Sequence, residues 1–138
     1  METSDVKRQV LAVIERARQQ ASGRRARVDD ATRAYSAWLN HVAIPLFRQV
    51  AGVLRAENRP FTVDTPAGGA RLVSERGNDY VALRLDTEGV EPFVVLETNR
   101  TWGGRVINEE RGIGEPSSLD DATLLDAVIG ALEPFVAR

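Results

Sequence analysis

Apolar residues in the first part of the chain recur every three or four positions, and from Pro60 onward they alternate with polar ones. Val6, Val10, Val13, Ile14, Ala17 and Ala21 make one helical stripe, with Lys7, Arg8, Glu15, Arg16 and Arg18 opposite. Ser22-Gly23 predicts its end, because glycine takes the left-handed conformation that closes helices. A longer stripe follows between Asp29 and Glu57: Tyr35, Trp38, Leu39, Val42, Leu46, Val50, Val53 and Leu54 share one face. The two lines predict an antiparallel helical hairpin over residues 1–58, with Arg24, Arg25 and Arg27 in the connector. Pro45 cannot donate to the carbonyl of His41, so the second helix is expected to kink there.

The alternating part predicts an antiparallel meander of about five strands over residues 60–111. Phe61, Val63 and Thr65 begin it, and Pro66-Ala67-Gly68-Gly69 supplies a turn. A two-residue turn at Gly77-Asn78 would pair Leu72 with Leu83 and put Ala70, Leu72, Val81, Leu83 and Leu85 on one face. Phe93 to Leu96 is apolar on both faces, as a central strand should be. A second two-residue turn, Gly103-Gly104, would set Trp102 against Arg105 and Thr98 against Glu109. Arg111 to Pro116 reads as a connector, with Gly112-Ile113-Gly114 in a loop. Ser118-Leu119-Asp120-Asp121 then predicts the start of a last helix over 118–137 whose buried stripe is Leu125, Val128, Ile129, Leu132 and Val136. The fold class is therefore α+β, one domain over 1–138, with the C-terminal helix packed on the sheet.

Composition narrows the class without naming an activity. A chain of 138 residues, 43% hydrophobic and 28% charged, matches one globular domain with its own core. Cysteine is absent, which excludes disulfides and thiolate metal sites. No apolar run is long enough to span a bilayer, and the start of the sequence lacks the order of a secretory signal, so a soluble cytoplasmic protein with no membrane contact is expected. The formal charge of −2 conceals an asymmetry: residues 1–60 carry eleven Lys or Arg against six Asp or Glu, and residues 61–138 carry seven against fourteen. Such halves can guide an association between copies or bring the basic one to a polyanion.

Candidate chemistry is sparse. The single histidine, His41, has no second His or Cys beside it to make a metal site, and no nucleophile–base spacing is present, so no catalytic residue, metal or cofactor is expected. The Gly-Gly register brings Glu97, Asn99, Asn108 and Glu110 together, where facing carboxylates can share a proton or hold a hard cation. Around the same turn Arg100, Trp102 and Arg105 are candidates to clamp an anion or stack a base, and with Glu97 and Glu110 they form the ligand-site candidate. Arg24, Arg25 and Arg27 are candidates for polyanion contact, although no nucleic-acid motif accompanies them and nucleic acid is an unexpected partner. Ile44 and Phe47 fall off the main stripe of the long helix and are expected on an interaction surface. Together these observations predict a non-catalytic domain that acts through protein–protein contact, as a homodimer or with a protein partner. The alternatives are weak nucleic-acid binding through the arginines and a small-ligand or enzyme site at the last hairpin.

Overall fold

A computed structural model describes residues 1–137. One continuous helix dominates it: α1 (Thr3–Trp38), a π-helical turn (Leu39–Ala43) and α2 (Ile44–Ala56) follow without a break. The expected hairpin is therefore replaced by a single rod. Gly23 has an ordinary helical conformation, and the arginines around it are good helix formers, so nothing between Ser22 and Val28 forces a turn.

The π-turn is the structure's answer to Pro45. The amide of Ile44 donates to the carbonyl of Leu39, five residues back, and Pro45 then enters the first turn of α2, where its missing N–H costs little. The inserted residue rotates everything after it by about 100° relative to an unbroken α-helix. Up to the first residue of the turn Tyr35, Trp38 and Leu39 are buried; from its last residue onward the buried line is Ala43, Phe47 and Ala51. This rotation corrects the expected stripe: Phe47 is completely buried, Ile44 packs against the core, and Val53 faces solvent. Phe47 thus belongs to the core and offers no interaction surface. The helix ends at Asn58, whose φ of 63° places it in the left-handed region, with Arg59 N–H donating to Leu54 O at 2.8 Å and Pro60 next in the chain.

Five antiparallel strands follow in the order β1 (Phe61–Asp64), β2 (Ala70–Ser74), β3 (Tyr80–Asp86), β4 (Phe93–Trp102) and β5 (Arg105–Gly114), each paired with its sequence neighbour. The last hairpin has the expected register, Trp102 opposite Arg105 and Thr98 opposite Glu109, because Gly103 and Gly104 both take the positive φ that a tight two-residue turn needs. The turn after β2 behaves differently. Gly77 and Asn78 do not have positive φ, so residues 75–79 form a wider loop closed by Ser74 N–H to Asp79 O at 2.9 Å. Leu72 accordingly faces Val81 instead of Leu83. The slip is two residues, so every side chain keeps its expected face. Strand β5 runs on through Gly112 and Ile113, contrary to the expected loop, and a bulge opposite Val94 and Val95 turns Ile113 towards the core.

α3 (Asp121–Val136) starts later than expected, since Asp120 and not Ser118 is its N-cap and accepts from Thr123 N–H at 2.8 Å. Its buried line is Leu124, Ala127, Val128, Leu132 and Phe135, one step round from the expected stripe, and Ile129 is 55% exposed. The long helix and α3 cover the same sheet face, on Phe61, Ala70, Leu72, Val81, Leu83, Val94 and Leu96. Phe61 and Phe135 meet edge to face at 6.1 Å, and Tyr35 and Trp38 lie 6.0 Å apart. Among the described residues no helix is long and apolar enough to cross a membrane.

Trp38, 6% exposed, belongs to the core that the helix, the sheet and α3 share. Trp38→Ala is expected to remove about 3 to 5 kcal/mol of stability, read as a shift in the denaturant midpoint. A loss below about 1 kcal/mol would mean that the indole contributes no more than a surface group.

Candidate functional site

Strand alternation divides the ligand-site candidates between two faces. Glu97 and Glu110 are direct cross-strand neighbours on the face that no helix covers, as are Asn99 and Asn108. There each carboxylate has its own partners. Tyr80 OH donates to Glu97 Oε1 at 3.3 Å and Asn108 Nδ2 donates to the same oxygen at 2.9 Å, while Arg84 Nη2 reaches Glu110 Oε2 at 3.0 Å. Arg71 pairs with Asp64 and holds its guanidinium 5.7 Å from the centre of the Tyr80 ring. Burial pushes the Tyr80 phenol up, the Glu97 charge and hydrogen bond add to this, and Arg71 opposes it. The open face is thus a lattice of hydrogen bonds and ion pairs in which Glu97 accepts from two neighbours. Among the described residues no group of three or more His, Cys, Asp or Glu is arranged to hold a metal ion.

Arg100, Trp102 and Arg105 alternate to the other side of the hairpin. Arg100 lies 3.9 Å from Glu109, and with Trp102 it lines a shallow hollow of about 130 Å³ closed by Pro134 and Ala137 of the α3 end. The five candidates therefore do not form one pocket: two carboxylates face open solvent across the sheet from the indole and the arginines.

The three connector arginines also separate. They sit on a continuous helix, where Arg25 points away from both Arg24 and Arg27. Arg24 Nη2 donates to the carbonyls of Thr87 at 3.3 Å and Glu88 at 3.2 Å, which ties the helix to the β3–β4 loop. Arg27 lines a cleft with Asp30, Glu91 and Glu115. His41 is exposed on the π-turn.

Two surfaces escaped the sequence reading. N-terminal to the Arg24 tether the helix stands clear of the body, and every residue from 6 to 22 is exposed. This arm is about 30 Å long at 1.5 Å per residue. Its side-chain hydrogen bonds, Arg8 to Asp5 and Gln19 to Glu15, stay within it. Its apolar stripe was legible, but the hairpin expectation assigned it a covering helix that does not exist. The second surface is the outer side of α3, where Leu125 is half-buried and Ile129 and Val136 are exposed.

A cleft of about 560 Å³ opens between the helix and the β1–β2 turn, lined by Thr32, Ser36, Asn40, Arg48 and Thr65 around Tyr35. Tyr35 OH donates to Gly68 O at 3.0 Å. The turn comes this close because Gly69 lacks a side chain: a Cβ there would lie 2.6 Å from Leu83 O. With Arg48 the one charged group in its lining, the cleft holds no acid–base pair.

The chain matches no family model, no curated protein and no solved structure.

Burial raises the Tyr35 phenol to about 12. The folded state prefers the neutral ring, so its contribution to stability is complete below the unfolded value near 10 and is lost as pH rises through about 12. Ultraviolet titration of Tyr80→Phe, which leaves Tyr35 as the remaining tyrosine, should show no ionisation near pH 10 until the protein unfolds; ionisation at that pH with the fold intact would contradict the burial of Tyr35.

Proposed function

We propose that this chain is a non-catalytic protein-interaction domain that works by self-association, with the N-terminal arm as its docking element. The observation that carries the reading is the exposure of Val10 at 52%, Val13 at 55% and Ile14 at 41% on a stretch of helix that no other element covers among the described residues. Eighteen residues make five turns, so Val10 lies in line with Val28, Val13 with Ala31 and Ala17 with Tyr35. The arm therefore prolongs the stripe that the domain buries further along, in the same direction. A helix with an uncovered apolar stripe gains about 1.5 to 3 kcal/mol for each Val or Ile that a partner buries fully. Most helical stability in proteins comes from packing of an amphipathic face, which the arm does not have against its own body, and this adds a second reason for a partner.

Nucleic acid draws less support as the partner. Arg24 is engaged with two carbonyls, Arg25 and Arg27 diverge, and the arm from Thr3 to Val28 has no aromatic side chain on which a base can stack.

Sedimentation equilibrium of the whole chain at micromolar concentration is expected to give twice the chain mass. Val10→Asp with Ile14→Asp should return the monomer mass while circular dichroism and the unfolding midpoint of the core stay near wild type, because neither residue touches the core. A wild-type protein that is monomeric at every concentration would overturn the reading.

A further inference from the structure

α3 is apolar on more sides than its own chain covers. Leu124, Val128, Leu132 and Phe135 face the core, yet Ile129 and Val136 look outward, and a helix that is apolar nearly all round is one that is covered nearly all round. Its charged residues are Asp121, Asp126 and Glu133, with no Lys or Arg among its 16 residues. Asp126 and Glu133 lie three positions before and four after Ile129, so they frame it on adjacent turns. Among the described residues neither has an ion-pair partner in its own chain.

The arm has the opposite character. Residues 3–28 carry seven Lys or Arg against Asp5 and Glu15. Lys7, Arg18 and Arg25 run along one side of the apolar stripe, and Arg16 and Arg27 along the other. Ala17 and Ala21 within the stripe allow a second helix to approach closely, as Ala122 and Gly130 do on α3. Two uncovered helix faces of opposite charge thus sit on one chain without meeting there, since residues 6–22 and Ile129 are all exposed.

We propose that the arm of one copy lies on the outer face of α3 of a second copy, reciprocally, so that the contact closes at two chains. This deepens the reading of the arm as a docking element and rests on it. Valines and Ile14 of the arm cover Ile129 and Val136, and the arm's arginines meet Asp126 and Glu133. The charges exclude the simpler arrangement, arm against arm, which would set two strongly basic helices side by side.

A charge swap on the whole chain tests the pairing, since all four residues involved are exposed. Arg16→Glu with Arg18→Glu places like charges on both contacts of a dimer, and so does Asp126→Arg with Glu133→Arg. Each double variant alone should associate about tenfold or more weakly than wild type. Mixed, they should form a one-to-one dimer, because each arm then meets an α3 of opposite charge. The absence of native cysteine permits a second readout. Ile14→Cys mixed with Ile129→Cys should give an interchain disulfide between the two variants. If both charge variants keep the wild-type dimer, or if the disulfide forms only between two Ile14→Cys chains, this pairing is wrong while the arm remains the docking element. If wild type itself is monomeric, the underlying reading falls with it.

Discussion

Because Pro45 has no N–H to give and its ring crowds the turn before it, the helix can pass that point only by altering its own hydrogen bonds. The widened turn at Leu39–Ala43 does this with a single extra residue, and the rest of the core follows from the resulting rotation. Ala43, Phe47 and Ala51 come round to the sheet, and the aromatic pair Tyr35 and Trp38 stays on the same side before the turn. The rod thereby keeps one face on the sheet from Tyr35 to Ala51, and α3 completes the layer with Leu124, Val128 and Phe135. A sheet of five neighbouring strands can be covered by one long helix and one short one only if the long helix holds its face in this way.

The uncovered side of the sheet is stabilised differently. Ala82 and Val95 are buried there without any helix above them, sheltered by the stems of long polar neighbours such as Arg71, Arg84 and Glu97. There Glu97 accepts from Tyr80 and Asn108, and Asn108 also donates to Asn99. The exposed ion pairs of that side contribute little each, so their effect is more to order the face than to hold the fold.

Much of this was legible because local chemistry decided it. Gly103-Gly104 dictated the register of the last hairpin, and alternation assigned every face of β2 and β3 correctly even though the turn between them was wider than its letters suggested. What escaped had several causes. Gly23 suits a helix end and a helix interior alike, and the helix-forming arginines around it carry the helix through. Phe47, expected off the stripe, joined the buried line because one residue was inserted upstream, which periodicity cannot register. Ser118 and Asp120 are both good caps, and the bond of Ser118 N–H to Glu115 O gave the role to Asp120. The candidate ligand set failed as a unit because a turn that brings residues close in the chain still sends alternate side chains to opposite sides. The arm was invisible as an arm, since an amphipathic stripe does not say whether its cover belongs to the same chain.

The tether of Arg24 to the β3–β4 loop has a mechanical side. Because the helix passes from the arm through Tyr35 and Trp38 without a hinge, the arm is a rigid lever whose pivot lies at that loop and whose short end is seated in the core. A sideways load on Val10 would therefore act as a torque on the two aromatic rings, with Trp38 about 40 Å away along the helix. The buried tryptophan of the core and the exposed stripe of the arm thus belong to one rigid element.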